Sequence, residues 1–212
     1  MKRLAVLVLS VVVALAASGL IAPAASAQQN LIDTLSGANS ADSTLACVAA
    51  RISATSSESV TQVVLDLAVA GAGDTTQTGV WLVEDSSGSV GTNVLGYFGY
   101  STGSIYAQGS PVAITAGTVF WVVFKQHNPS PPGDPYVRAR WTSDVNSNSG
   151  PWTYETFTGD YVADGSCVTS GSTFTSFTQS TASNSDALKV RLVGTGGSGG
   201  GSSSGDDATS QV

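Results

Sequence analysis

The chain has 212 residues, with 8 Lys and Arg against 15 Asp and Glu, one His, and a net charge of −7. An acidic chain without a Lys/Arg cluster speaks against nucleic acid and against anionic membrane surfaces as partners. One His and two distant Cys exclude the usual zinc ligand sets.

The first residues indicate the compartment. Lys2 and Arg3 precede an apolar run from Leu4 to Ile21, and Ala25-Ser26-Ala27 supplies the small residues of a cleavage site. This reads as a signal peptide over 1–27, cut between Ala27 and Gln28. Its removal leaves six basic residues against fifteen acidic, a net charge of −9. The mature chain of about 185 residues suffices for one sizeable domain. No second long apolar segment follows, so no membrane span is expected in the mature chain. Cys47 and Cys167 are an even pair in an exported chain and are expected to form a disulfide. It would close a loop of about 120 residues and contribute up to roughly 5 kcal/mol.

In chain order, Gln28 to Thr34 predicts a short strand and Ser36 to Ser40 a polar turn. Leu45 to Ile52 reads as a strand. Val60 to Ala70 alternates clearly, with Val63, Leu65, Leu67 and Val69 on one face. Thr78 to Glu84 is the next strand, stopped by Asp85-Ser86-Ser87-Gly88. Val94 to Tyr100 follows, its two glycines suggesting a bulge or a close approach of another backbone. Ser110 to Phe124 reads as a short strand, a turn at Thr115-Ala116-Gly117, and a strand apolar on both faces. Such a strand belongs at the centre of a covered sheet.

Four prolines between His127 and Pro135 rule out a strand interior there. Tyr136 to Thr142 alternates, with Val137, Ala139 and Trp141 together, and Trp152 to Phe157 is a further strand. Thr158 to Ser185 is rich in Gly, Ser and Thr around Cys167. Leu188 to Val193 is the last strand, with Leu188, Val190 and Leu192 inward. The predicted domain is 28–193, and 194–212 reads as a flexible Gly/Ser-rich tail. Many short strands without an amphipathic helix predict an all-β antiparallel β-sandwich, with jelly-roll-like connectivity preferred.

The opening LIDTLSG, the alternating VTQVVLDLAV, the strand and turn VWLVEDSSGSVG, the hairpin VAITAGTVFWVVF and the closing ALKVRLVGT together resemble the choice-of-anchor R domains of exported bacterial proteins. The resemblance spans roughly Ile32 to Thr195. It implies an extracellular β-sandwich module of undefined activity and transfers no catalytic residue. The two cysteines and the lack of a terminal sorting motif depart from that pattern.

Candidate chemistry is sparse. His127 would need Asp134 or another carboxylate and a hydroxyl to act as a catalytic base, and no G-x-S-x-G accompanies it. Glu84, Asp85 and Glu155 could serve a glycosidase, but adjacent Glu84 and Asp85 point to opposite faces of a strand. No catalytic residue is assigned. Asp74, Asp85, Asp160 and Asp164 are read as loop carboxylates. Asp160 and Asp164 are the nearest approach to a structural calcium site, the one cofactor entertained. Tyr136, Trp152, Tyr154 and Tyr161 are candidate glycan-stacking rings, since sugar C–H faces pack on aromatic faces. Trp141 is assigned to the core with Val137 and Ala139. The expectation is a secreted or cell-surface, non-catalytic module with a structural, matrix or adhesive role, its partner a glycan or a surface protein. The alternatives are a carbohydrate-binding module and, further off, a hydrolase.

Overall fold

The computed structural model describes residues 27–43, 45–70, 78–99, 105–126, 136–156, 162–183 and 186–196. All but Ala27 of the segment read as a signal peptide, and most of the Gly/Ser-rich stretch read as a tail, lie outside them. Apart from a 3-10 turn at Val145–Ser147, the regular elements described are β-strands, and their pairings are antiparallel. The fold is an all-β sandwich.

One layer is built around β9 (Val119–Lys125), which lies between β3 (Cys47–Ser53) and β6 (Gly79–Ser86). β6 turns through Ser87-Gly88 into β7 (Ser89–Phe98), which forms one edge of the sheet. On the far side of β3 come β12 (Val162–Ser170) and β13 (Thr173–Ser183), while the short β11 (Thr153–Tyr154) pairs with the end of β3. The opposite layer contains β1 (Gln28–Asp33), β15 (Val190–Gly196), β4 (Glu58–Leu65) and β8 (Ile105–Ile114) in that spatial order. Beside it β10 (Tyr136–Thr142) pairs with β2 (Asn39–Asp42), β5 (Leu67–Ala70) and β14 (Ala187–Leu188).

Alternation along these strands makes two cores. Between the layers, Phe120, Val122 and Phe124 meet Val48, Ala50, Ile52, Val80 and Leu82 from their own sheet and Leu31, Ile32, Val63, Leu65, Val190 and Leu192 from the other. Trp141, Val137 and Ala139 join this core, as their shared face requires. On the outer face, Trp121 and Val123 pack with Ala49, Trp81, Val83, Ala163 and Phe174. The central strand is therefore covered on both sides.

The segment from Ser110 to Phe124 is corrected in one respect. Its turn does not close a hairpin, because β8 belongs to one layer and β9 to the other. The connection runs beside the β3–β4 link, with Gly117 N–H donating to Ala54 O at 2.7 Å and Ala54 N–H to Thr118 O at 2.9 Å. Two paired strands thus fold together over the edge of the core, and Gly117 takes φ +83° to make the corner. The run Val60 to Ala70 is likewise divided. At Asp66 the chain leaves β15 and joins β10, its N–H donating to Lys189 O and its carbonyl accepting from Arg140 N–H. The Asp66 carboxylate also holds Arg140 at 3.1 Å and Lys189 at 2.7 Å. In β7, Gly96 sits at a register shift, and a Cβ there would collide with Val112 of β8. The expected bulge is present, and the close neighbour is the Val112 side chain rather than another backbone.

The largest departure lies between Thr158 and Ser185, where β12 and β13 form a long hairpin. It bends at register shifts near Gly165 and Thr169 and curls over the outer face. Trp81 Nε1 donates to Ser172 O at its tip (3.0 Å), and Lys125 Nζ donates to Thr169 Oγ1 at 3.1 Å. Cys47 and Cys167 form a disulfide, fastening the curled arm to β3 beyond the last residue pair the two strands share. Replacing both cysteines by Ala is expected to lower unfolding stability by about 2–4 kcal/mol, read from urea titrations beside the oxidised protein. Unchanged midpoints would show that the arm holds without its covalent tie.

Candidate functional site

Curling leaves one feature that the flat strand pattern does not contain. β7 and β13, the two edges of the seven-stranded sheet, lie beside each other without backbone pairing among the described residues. The seam between them holds a cleft of about 310 Å³, lined by Ser89, Val90, Trp121, Phe177, Thr178 and Gln179. Trp121 is its buried floor, and Val90 and Phe177 are half-buried walls. Ser89, Thr178 and Gln179 form an exposed rim.

The floor is held from below by charge. Trp121 Nε1 donates to Asp85 Oδ1 at 2.9 Å, and Arg51 grips the same carboxylate through Nε at 2.8 Å and a second nitrogen at 3.2 Å. Gly88 N–H adds a bond to Oδ2 at 3.0 Å. Burial alone raises the Asp85 pKa. The bonds from Arg51, Gly88 and Trp121, with the Arg51 charge, outweigh it and hold the carboxyl below its ordinary value. Asp85 is thus the last but one residue of β6 rather than a loop carboxylate. Glu84 points to the opposite side, where Asn93 Nδ2 donates to it at 2.9 Å. Both residues border a cleft of about 380 Å³ with Ser86, Ser87, Gly91, Thr92 and Asn93, but their carboxylates bind different partners, Asn93 and Arg51.

Of the four expected stacking rings, the side chains of Trp152 and Tyr154 are described. Trp152 is corrected to a core residue: it is 0% exposed, its ring meets Phe120 edge-on at 5.8 Å, and its Nε1 donates to Ser56 Oγ at 3.1 Å. Its loop is stitched to β1, with Trp152 N–H donating to Leu31 O and Ser149 N–H to Asp33 O. Tyr154 is half-buried, its hydroxyl donating to Leu188 O at 2.6 Å. Burial pushes that hydroxyl well above the usual phenol range, against the opposing effect of a bond with Thr34. The exposed part of its ring lines a second cleft of about 300 Å³ with Val145, Asn146, Asn148 and Thr153. Asn148 is already engaged there, donating to Trp152 O at 2.7 Å and accepting from Asp33 N–H at 2.9 Å. Tyr136 begins β10, but its side chain, like the whole of Tyr161, lies outside what is described.

Asp164 is corrected from a loop ligand to a buried strand residue that accepts a hydrogen bond from Ser43 Oγ. Asp74, His127, Asp134 and Asp160 lie outside the described residues. Among the described residues, no group of three or more His, Cys, Asp or Glu is placed to hold a metal ion. Sequence reasoning missed the seam because Phe174 and Phe177 are three apart, which breaks strand alternation. Thr175 is the extra residue at a bulge, and it returns both rings to one face.

Two outcomes follow. Trp152→Ala should cost about 3–5 kcal/mol of stability in urea titration, as removal of a buried indole does. Asp85 has a folded-state pKa depressed below its unfolded value of about 3.9. Its contribution is present above that value and is lost as pH falls through the folded pKa. Asp85→Asn should therefore destabilise by roughly 1.5–3 kcal/mol at pH 7 and flatten the acid limb of a stability–pH profile. An unaltered acid limb would remove Asp85 from the acid response.

Comparison of this chain with protein-family models, with curated proteins and with solved structures finds no match.

Proposed function

We propose that the protein is an exported, non-catalytic β-sandwich module that serves at the cell surface or in the surrounding matrix in a structural or adhesive role. One observation carries this reading: the buried and half-buried aspartates Asp33, Asp66, Asp85 and Asp164 are engaged in joining strands, while the one buried carboxylate oxygen without a partner among the described residues is Glu58 Oε2. Asp33 holds Arg191 at 2.9 Å, Asp66 holds Arg140 and Lys189, Asp85 holds Arg51 and Trp121, and Asp164 holds Ser43. A catalytic carboxylate needs an unsatisfied face directed at a cavity, and these acids direct theirs at neighbouring strands. Buried Gln126 acts similarly, its Oε1 accepting from Ala139 N–H at 2.9 Å and its Nε2 donating to Ser43.

Export is supported by the Lys2-to-Ala27 leader pattern and by the Cys47–Cys167 disulfide, a bond favoured in oxidising compartments. The resemblance to choice-of-anchor R domains points the same way. The carbohydrate-binding alternative loses Trp152 as a stacking ring, because that side chain is in the core.

Fractionation of the expressing cell tests this reading. The chain is expected in the medium or envelope, beginning at Gln28 and with both cysteines resistant to alkylation until reduced. Retention inside the cell with Lys2 and Arg3 present and free thiols would overturn it.

A further inference from the structure

We propose that the seam between β7 and β13 is a binding site for a neutral sugar ring, with Phe177 as the stacking face and Ser89, Thr178 and Gln179 as the groups that bond its hydroxyls. The inference rests on the surface-module reading and names the ligand class through which such a module would adhere.

Three observations converge on this cleft. Its volume of about 310 Å³ lies at the lower end of the range for ligand pockets, roughly 300–1,000 Å³, which suits one ring rather than a large ligand. The half-buried Phe177 presents an aromatic surface with Val90 beside it, and sugar C–H faces pack against such surfaces. Among the described residues, the side chains of Ser89, Thr178 and Gln179 make no hydrogen bond within the chain, so donors and acceptors remain for a ligand.

Charge narrows the class further. The lining residues carry none, and the Asp85 carboxylate beneath the Trp121 floor is paired with Arg51. An anionic sugar would find no cation in the lining, and a cationic ligand no unpaired acid. The cleft beside Tyr154 is the weaker competitor, because its Asn148 and its tyrosine hydroxyl already serve the fold. The seam is also fixed in place. The disulfide restrains the arm at Cys167, the residue opposite Phe177 in the β12–β13 register. A preformed cleft avoids the cost of ordering its walls on binding.

The test is calorimetric titration of the exported protein with neutral oligosaccharides of glucose, xylose, mannose, galactose and N-acetylglucosamine. Saturable binding to at least one is expected. Gln179→Ala and Phe177→Leu should each weaken it by about tenfold, the second by removing the aromatic face while keeping apolar bulk. Thr178→Trp, which fills the cleft, should abolish it, and Asn146→Ala in the competing cleft should leave it unchanged. Thermal melts of each variant separate lost binding from lost folding. Absence of binding to all five classes would overturn the proposal, as would binding unmoved by the seam variants, or a seam that takes up only polypeptide or acidic sugar. A surface-located protein that binds none of them refutes this inference alone. Retention in the cytoplasm refutes the surface-module reading on which it rests.

Discussion

The structure depends on the need to cover β9 on both faces. Phe120, Val122 and Phe124 project to one side and Trp121 and Val123 to the other, because strand geometry alternates side chains. Each buried aromatic or aliphatic side chain contributes about 1.5–3 kcal/mol when removed from water, so leaving either face open would forfeit much of the fold's net stability. The inner face is covered by the second layer of the sandwich. Among the described residues no third layer covers the outer face, and the sheet covers it by bending its own β12–β13 arm across Trp81 and Trp121.

The bend explains features that otherwise look unrelated. Bulges near Gly165 and Thr169 supply the extra twist, the Cys47–Cys167 disulfide secures the arm, and Trp81 bonds its tip. Curling brings the two sheet edges together without pairing them, and an unclosed edge-to-edge approach leaves a cleft. The candidate site is thus a by-product of covering a two-faced strand. Part-buried ion pairs tie strands together: Asp66 with Arg140 and Lys189 where β4 passes into β5, and Asp33 with Arg191 where β1 pairs with β15. Such part-exposed pairs contribute modestly to net stability.

Much of the strand content was legible from residue order. The two-sided apolar pattern of β9 placed it centrally, the alternation of Val137, Ala139 and Trp141 placed those residues inward, and Cys47 and Cys167 paired as their number and the leader suggested. The division at Asp66 was not legible, because alternation continues through a strand that changes neighbours. Nor was the fate of Trp152, which depends on a loop bonded to Leu31 and Asp33, more than a hundred residues earlier in the chain. The β12–β13 arm was hidden because each bulge inserts a residue and spoils the period of two.

By itself the sequence determined the class of fold and the strand faces, since burial preference and alternation are local properties of the chain. It also determined that two thiols were available to close one long loop. The tertiary structure decided which strands became neighbours, which layer each joined, and which aromatic rings stayed near the surface. Those outcomes depend on contacts between distant residues and on the curvature of a whole sheet. For that reason Phe177, in a stretch that read as featureless, lines the cleft, while Trp152, which stood out in the sequence, is sealed in the core.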